Sequence, residues 1–245
     1  MSDNSRFKGL RIAITGANGS LGKSLVEVLK KKGAYVMGLT HERKNDSDSS
    51  ESTPDEWILW SCGKEELLSS TLINVDILIL NHGFNPKEII DSNEINKAIE
   101  INSLSHWRLI EMFEDLTLSK NLNDYNTKEV WVNTSEAEIQ IAFSPVYEIT
   151  KRLIGELISL KKSKLIMEKR TSFIIKKLIL GPFKSKLNPQ GIMSPKIVAK
   201  KIIKKAEKGS YLVIVSPNPI TYLIMPFVES ARILYSRFIN KIYSN

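Results

Sequence analysis

Cysteine and histidine are scarce in this sequence, which limits the chemistry open to it. Cys62 is the only cysteine, so no intramolecular disulfide can form. The N-terminus also lacks an apolar signal stretch, and we therefore expect a reducing, cytoplasmic setting. The three histidines, His41, His82 and His106, share no helical or strand spacing with a cysteine or carboxylate partner. We accordingly expect no metal site.

Positive charge is in excess, but without the pattern of a nucleic-acid-binding protein. The 245 residues carry 35 Lys and Arg against 27 Asp and Glu, a net charge of +8. No basic strand interleaved with aromatic residues accompanies this excess, so we interpret it as solvated helix surface and predict no nucleic-acid partner. Much of it lies at Lys196, Lys200, Lys201, Lys204, Lys205 and Lys208. The length suits one α/β domain.

Glycine is rare, yet three glycines cluster where an apolar strand runs into a helix. The strand ends at Thr15, and the helix is predicted over 23–32. Glycines here allow a tight turn and close approach of the backbone to a pyrophosphate, which the positive helix N-terminus stabilises. We interpret the segment as a dinucleotide-binding turn rather than a plain loop. The predicted cofactor contacts in it are Thr15, Gly16, Asn18, Gly19, Ser20, Leu21 and Gly22.

Apolar strands and amphipathic helices alternate along the rest of the chain. Continuous apolar strands imply a sheet covered on both faces. The alternation predicts a single α/β domain with a Rossmann-like, doubly wound parallel sheet of about seven strands. The polar segment 43–56 is predicted to be a mobile loop. After the first strand, further strands are predicted at 34–39, 57–60, 75–80, 129–133, 171–180 and 211–215, with helices at 65–72, 94–113, from Ser144-Pro145 and from Ser194-Pro195.

Tyr147 and Lys151 stand four residues apart, and Ser135 lies twelve residues before the tyrosine at the end of an apolar run. At this spacing the phenol and the ammonium share one helix face. The cation then favours the phenolate, so we expect the pKa of Tyr147 to fall below its ordinary value of about 10. The three residues together suggest proton transfer to a carbonyl.

Together these motifs resemble the short-chain dehydrogenase/reductase family over nearly the whole chain. The family's glycine motif matches 15–22, and its Asn-Ala-Gly element is approximated by Asn81, His82 and Gly83. The chain departs from the family in two ways. The spacing of Gly16, Gly19 and Gly22 is more like that of the extended members, and His82 replaces a small residue. The family's active-site residues match Asn102, Ser135, Tyr147 and Lys151.

The resemblance implies reversible hydride transfer between a nicotinamide cofactor and a carbonyl or alcohol carbon. Tyr147 would act as the acid or base, Lys151 would hold the nicotinamide ribose and stabilise the phenolate, and Ser135 would bind the substrate oxygen. Asn102 would position a water that relays protons to the lysine. Taken singly, the serine also fits a turn or cap, and Asn102 an ordinary helix surface. A second hypothesis is a catalytically silent NADP-binding regulatory or scaffold protein.

The end of the second strand bears on the choice of cofactor. NAD-preferring members place an acid there, whereas here Thr40, His41 and Arg43 occupy the region. These residues favour NADP over NAD by offering partners for a 2′-phosphate, with Glu42 as the opposing feature. Further cofactor contacts are expected from Cys62, near the adenine, and from Asn81, His82, Gly83, Gly181 and Pro182.

The substrate side is less defined. The loop 183–193 is expected to cover the substrate, which we expect to be a small molecule with a carbonyl or alcohol group. Glu136 and Glu138 directly follow Ser135 and are expected either to face solvent or to favour a polar substrate.

The C-terminal tail, residues 217–245, is predicted to be an apolar and basic extension of the catalytic domain at 1–216. Pro226, Glu229 and Arg232 interrupt it too often for a bilayer span, which needs about 20 mostly apolar residues. From Ser230 onward the pattern predicts an amphipathic helix. The tail is expected to pack on its own domain, pair with a second subunit in a homo-oligomer, or lie on an anionic membrane surface.

Overall fold

The protein forms a seven-stranded parallel sheet with helices on both faces. The computed structural model describes residues 5–42, 50–86, 91–119 and 127–243. The strands lie in the order β3-β2-β1-β4-β5-β6-β7, and every neighbouring pair is parallel. This confirms the predicted fold and strand number. The strands are β1 (Arg11–Thr15), β2 (Tyr35–Thr40), β3 (Glu56–Leu59), β4 (Ile77–Leu80), β5 (Lys128–Ser135), β6 (Phe173–Leu180) and β7 (Leu212–Val215).

The helices begin and end close to their predicted positions, with two informative differences. The first helix starts three residues earlier than predicted, at Ser20, so the glycine turn leads into it directly. The helix predicted at 94–113 is longer and contains a π-helical turn at Glu100–Leu104. The α-helices are α1 (Ser20–Lys31), α2 (Ser69–Leu72), α3 (Ser92–Ile99), α4 (Ser105–Ser119), α5 (Pro145–Met167), α6 (Pro195–Glu207) and α7 (Pro219–Tyr243), with 3₁₀ turns at Glu65–Leu68 and Glu136–Glu138.

The core has two layers, one on each side of the sheet. Helices α1 and α6 cover one face, and α4 and α5 cover the other. Because both faces are covered, strands such as β4 are buried along their whole length. Trp131 of β5 is fully buried, and its indole N–H donates to the carboxylate of Glu129 at 2.7 Å.

The strand order reverses between β1 and β4, because the chain extends outward from β1 to β3 on one side and from β4 to β7 on the other. In open parallel sheets, ligands bind at the carboxyl ends of the strands beside such a reversal. Thr15, Asn81 and Ser135 lie at or directly after the carboxyl ends of β1, β4 and β5. The fold therefore brings together three of the predicted site residues.

The C-terminal helix is longer than predicted. It begins at Pro219 rather than near Ser230 and includes Pro226. It packs along α5, with Met225 and Glu229 buried. Within the described residues, no helix is long and apolar enough to cross a membrane. Of the predicted loop at 43–56, residues 43–49 lie outside the described residues, and Glu56 opens β3.

Candidate active site

The glycine turn between β1 and α1 is tight enough to require its glycines. Gly16 has φ +63°, a conformation that side chains with a Cβ rarely adopt. A Cβ on Gly22 would lie 2.2 Å from the carbonyl oxygen of Gly16, so the first turn of α1 packs directly against the loop. Gly19 precedes α1 without a side-chain cap, and the first turn of the helix contains no acid. The N-terminal N–H groups of α1 therefore meet the chemical needs of a bound pyrophosphate.

The hydroxyl of Thr15 ties this turn to the end of β4. Its Oγ1 donates to the carbonyl of Ile79 at 3.3 Å and accepts the backbone N–H of Asn81 at 2.8 Å. The ring Nδ1 of His82 lies 2.8 Å from the same oxygen. The backbone N–H of His82 also donates to this oxygen, at 3.2 Å. Asn81 continues the contact by donating from Nδ2 to the carbonyl of Gly16 at 3.3 Å.

His82 belongs to an aromatic cluster beside the turn. Its ring meets the His106 ring edge-to-face at 4.1 Å between centroids and the Trp60 ring at 5.3 Å. Burial lowers the pKa of His82 to about 3 and holds the pKa of His106 well below its ordinary value. Both imidazoles are therefore neutral at neutral pH. Within the described residues, no three His, Cys, Asp or Glu side chains are placed to hold a metal ion.

A chain of hydrogen bonds runs from the turn to the predicted catalytic lysine. Asn133 of β5 donates from Nδ2 to Oδ1 of Asn81 at 3.1 Å. Lys151 donates from Nζ to the backbone carbonyl of Asn133 at 3.0 Å. Burial lowers the pKa of Lys151 to about 8, and the carboxylate of Glu138 opposes that shift. The sequence analysis did not select Asn133, although a polar residue inside an otherwise apolar strand was a usable signal.

Ser135 and Tyr147 lie near each other. Ser135 is the last residue of β5, and Ser144 caps α5 by accepting the backbone N–H of Tyr147 at 3.4 Å. The Ser135 side chain lowers the pKa of the Tyr147 phenol, and its hydroxyl donates to the carbonyl of Leu180 at 3.5 Å. It also accepts the backbone N–H of Ala137 at 3.2 Å, so it combines a capping contact with its position beside the tyrosine.

The predicted effect of Lys151 on the tyrosine is wrong for this structure. Burial raises the pKa of Tyr147 to about 12, and only the hydrogen bond with Ser135 acts in the opposite direction. The Nζ of Lys151 lies 5.5 Å from the centre of the Tyr147 ring and donates instead to Asn133. The helical spacing placed the two side chains on one face, but the loss of solvent outweighs the charge.

Asn102 lies in the π-helical turn and is completely buried, so it is not an ordinary helix-surface residue. Its Oδ1 accepts the backbone N–H of Phe84, and its Nδ2 donates to the carbonyl of Phe84, both at 2.7 Å. Nδ2 also lies 3.1 Å from the hydroxyl of Thr150. The amide thus fixes the segment after β4 against α5, beside Tyr147 and Lys151. Such π turns are frequent at functional sites.

The remaining predicted cofactor residues that the structure describes lie on several elements. Thr40 is buried and accepts the backbone N–H of Glu42 at 3.2 Å, whereas His41 is exposed. Cys62 packs against the core near Trp60. Arg43 lies outside the described residues. Asn18, Ser20 and Leu21 lie in the glycine turn and the start of α1, Gly83 lies beside Asn102, and Gly181 and Pro182 directly follow β6.

The loop after β6 closes over one edge of the site. The carbonyl of Pro182 accepts the backbone N–H of Ile192 at 2.9 Å, and Asn85 donates from Nδ2 to the carbonyl of Leu187 at 3.2 Å. The loop therefore contacts the segment after β4. Its predicted place over the substrate stays a prediction.

The expectation that the two glutamates after Ser135 face solvent is wrong for Glu138. Glu138 is buried and forms ion pairs with Lys177 at 2.9 Å and Arg232 at 2.7 Å. Glu136 accepts hydrogen bonds from the hydroxyls of Ser216 and Thr221. Both carboxylates anchor the turn after Ser135 to β6 and α7.

Comparison with known proteins shows what the chain is similar to in sequence. No protein-family model matches the chain. In sequence it is similar to the monoglucosyldiacylglycerol epimerase of Synechocystis sp., with 40% identity over 237 residues. The match covers 96% of this chain and 56% of that protein, so the chain spans little more than half of its relative.

Solved structures agree at the level of the fold. A short-chain dehydrogenase from Burkholderia cenocepacia in complex with NADP superposes with a TM-score of 0.74 at 16% identity, covering 94% of this chain and 98% of that chain. A short-chain dehydrogenase from Leptospira borgpetersenii with bound NAD⁺ gives 0.69 at 17% identity, covering 87% and 92%. The protein therefore has the short-chain dehydrogenase/reductase fold, as the sequence motifs predicted. Within that fold, its sequence similarity is to an epimerase of a glycolipid.

Proposed function

We propose that the protein is an enzyme that catalyses reversible, nicotinamide-dependent hydride transfer at a carbinol carbon. The observation that supports this best is the arrangement of Ser135, Tyr147 and Lys151 beside the strand reversal where the glycine turn lies. We further propose that the net reaction is epimerisation of a hexosyl lipid headgroup. The 40% identity to a monoglucosyldiacylglycerol epimerase supports this choice.

The residues fit a dinucleotide. The N-terminus of α1 offers uncapped N–H groups to the pyrophosphate, and Gly22 leaves no room for a side chain in the turn. Lys151 would hold the nicotinamide ribose, and Thr40 with His41 would lie at the adenosine ribose. When bound, the nicotinamide accepts and returns a hydride.

The residues of this chain supply the proton chemistry. Tyr147 takes the hydroxyl proton as the carbinol hydrogen leaves with its electron pair, which converts the alcohol to a ketone. Ser135 donates a hydrogen bond to the substrate oxygen, where charge develops. Asn102 holds the backbone around the lysine, and we propose that it positions the water that relays the proton.

Epimerisation follows when the ketone receives the hydride on its opposite face. Tyr147 then returns the proton to the oxygen, and the hydroxyl group has the inverted configuration. Substrate oxidation in the first half balances reduction in the second, so no oxidant is consumed. A cofactor needed only in catalytic amounts is the signature of this reaction.

For the cofactor we propose NADP in preference to NAD. The described end of β2 presents Thr40 and His41, and its one carboxylate, Glu42, lies 3.7 Å from the ring of His41. An acid that pairs with a neighbouring imidazole is less available to ribose hydroxyls. Arg43 is proposed as a further partner of a 2′-phosphate.

The test is conversion of glucosyl diacylglycerol in mixed micelles with catalytic amounts of NADP⁺, followed by analysis of the released sugar. We expect an inverted headgroup without net formation of NADPH, and retention of a deuterium label placed at the inverted carbon. Net formation of NADPH together with an accumulated ketone would show a dehydrogenase instead. Tight NADPH binding without conversion of this lipid or of a panel of ketones and alcohols would contradict the proposal.

The second candidate is the catalytically silent NADP-binding regulatory or scaffold protein. The observation in its favour is the pKa of Tyr147, which burial raises to about 12, far from the value that suits a base at neutral pH. The same assay separates the two candidates, because only the enzyme converts a substrate. A homo-oligomeric state remains a prediction.

A further inference from the structure

Helix α7 differs from an ordinary surface helix because its buried face is largely polar and its exposed face is apolar. The face that it turns toward the domain is largely polar and includes Thr221, Met225, Glu229 and Ser236, all buried. Glu229 pairs with Lys177 at 2.8 Å and accepts a hydrogen bond from the hydroxyl of Tyr211 at 2.6 Å. Polar contacts thus fix the orientation of α7 on the domain.

The opposite face of α7 is apolar and open to solvent. Its members are separated by three, four or seven residues, which are spacings of one helix face. Leu223 is 78% exposed, Phe227 76%, Leu234 61% and Phe238 63%. We call this surface the α7 outer face, and it consists of Ile220, Leu223, Phe227, Leu234, Phe238 and Ile242. Large contiguous apolar surfaces of this kind mark interaction sites.

The charges beside this surface select its partner. Arg237 and Lys241 are exposed along one border of the α7 outer face. The only acid in α7 is Glu229, and it is buried against Lys177. A second copy seated helix to helix would bring cations against cations without a carboxylate from α7 to balance them. An anionic lipid surface complements both the apolar stripe and its basic border.

The surface is continuous with the rim of the active site. Gln140 donates from Nε2 to the hydroxyl of Thr221 at 2.8 Å and accepts Nδ2 of Asn218 at 3.0 Å. Directly after Gln140, Ile141 is 93% exposed, and Phe143 is fully exposed. These two residues lie in the segment between Ser135 and Tyr147. Because Gln140 ties this segment to the start of α7, we infer an apolar path through Ile141 and Phe143 toward the predicted catalytic residues.

We propose that the α7 outer face, together with Ile141 and Phe143, lies in the plane of an anionic bilayer surface. The apolar path would let a lipid keep its acyl chains in the bilayer while its polar headgroup reaches Ser135 and Tyr147. This last step rests on the proposed function. The surface contact itself does not depend on it.

The test is sedimentation of the protein with vesicles of phosphatidylcholine, with and without phosphatidylglycerol. We expect binding that increases with phosphatidylglycerol and weakens with salt. The double variant L223N/L234N should lose most binding to the anionic vesicles. The matched control is L67N/I197N, because Leu67 is 64% exposed and Ile197 51% exposed on other elements. This control should bind as the wild type does.

A second comparison tests the role of the basic border. It compares R237Q/K241Q with the control pair K200Q/K201Q, because Lys200 and Lys201 are exposed on α6. Loss of the two border cations should reduce partitioning into anionic vesicles about tenfold, whereas the control pair should have a smaller effect. Equal effects of the two pairs would leave only non-specific attraction by net charge and would overturn the proposal.

Two further measurements keep this inference separate from the proposed function. A second copy of the chain is the competing partner, and sedimentation equilibrium without lipid tests it. The proposal would be overturned if the wild type formed a dimer that L223N/L234N dissociates and did not bind vesicles. Conversion of substrate in vesicles compared with detergent micelles tests the path. L223N/L234N should lower conversion in vesicles while leaving it unchanged in micelles. Binding to vesicles without conversion of substrate in vesicles or in micelles would refute the proposed function but not the membrane contact.

Discussion

Lys177 and Glu138 form an ion pair at 2.9 Å in which both side chains are completely buried. The pair joins β6 to the turn that directly follows Ser135. Lys177 also binds Glu229 of α7 at 2.8 Å and the carbonyl of Gly155 in α5 at 3.0 Å. The Lys177 ammonium group therefore holds the turn after Ser135, α7 and α5 against β6, beside the candidate active site.

Replacing Lys177 should destabilise the protein strongly. Lys177→Met leaves Glu138 with Arg232 alone and Glu229 without a cation, and breaking a buried pair costs about 3–5 kcal/mol. Urea denaturation should show this loss in the free energy of unfolding, whereas Lys200→Met on the exposed surface of α6 should change it by less than about 0.5 kcal/mol. A loss below about 1 kcal/mol for Lys177→Met would mean that the network is not essential.

Gly22→Ala should weaken cofactor binding more than it weakens the fold. The new Cβ would lie 2.2 Å from the carbonyl oxygen of Gly16, so the turn must open where the pyrophosphate is expected to bind. We expect the dissociation constant for NADPH to rise at least about tenfold by fluorescence titration, a change of about 1.4 kcal/mol. Gly209→Ala is the control, because a Cβ there meets no atom within 4 Å and Gly209 lies outside the glycine turn. Equal affinities in the two variants would count against the assigned turn.

The histidine pair should make the protein sensitive to mild acid. Folded His82 and His106 stay neutral, while the unfolded chain protonates each near its ordinary pKa of about 6.5. Below that pH the unfolded state binds more protons, so stability is lost as the pH falls from about 6.5 toward 3. Between about pH 7.5 and 5.5 the two groups should together remove about 2 to 3 kcal/mol from the free energy of unfolding.

The matched variant for this prediction keeps the hydrogen bonds. In His82→Asn with His106→Gln, the amide nitrogens replace the ring nitrogens that bind Thr15 and the carbonyl of His82. Between about pH 7.5 and 5.5, the free energy of unfolding of this variant should then fall by about 2 to 3 kcal/mol less than that of the wild type. An unchanged slope would show that other groups control the acid response.

Lys151→Ala should weaken NADPH binding and change its pH dependence. The ammonium is proposed to hold the ribose, and burial lowers its pKa to about 8. As the pH rises through about 8, the wild type loses this charge, and its affinity should approach that of the variant. Calorimetric titration over that range measures the effect. Identical affinities for the two proteins at neutral pH would remove Lys151 from cofactor binding.

The sequence was most informative where a signal is local. Apolar runs gave all seven strands, because a sheet covered on both faces needs continuous hydrophobicity. Tyr147, Lys151 and Ser135 came together because helix spacing and strand ends fix their positions. The prediction of an amphipathic helix only from Ser230 onward was wrong, because α7 begins at Pro219 and continues through Pro226, with polar and ionic contacts along its buried face.

The sequence did not predict features that depend on contacts between residues far apart in the chain. The pairing of Glu138 with Lys177 and Glu229 joins residues far apart in the chain, and no spacing rule connects them. The pKa of Tyr147 depends on how much solvent the fold removes, and the sequence alone does not show this. Asn133 and Thr150 entered the site in the same way, through contacts with Asn81 and Asn102.

The most direct test of the account is conversion of the lipid headgroup by Tyr147→Phe. Tyr35→Phe is the control, because that hydroxyl binds Glu56 at the edge of the sheet, away from the candidate site. We predict that Tyr147→Phe binds NADPH as the wild type does while its turnover falls at least about a hundredfold, the scale of a lost acid–base group. Near-normal turnover by Tyr147→Phe would contradict the proposed mechanism.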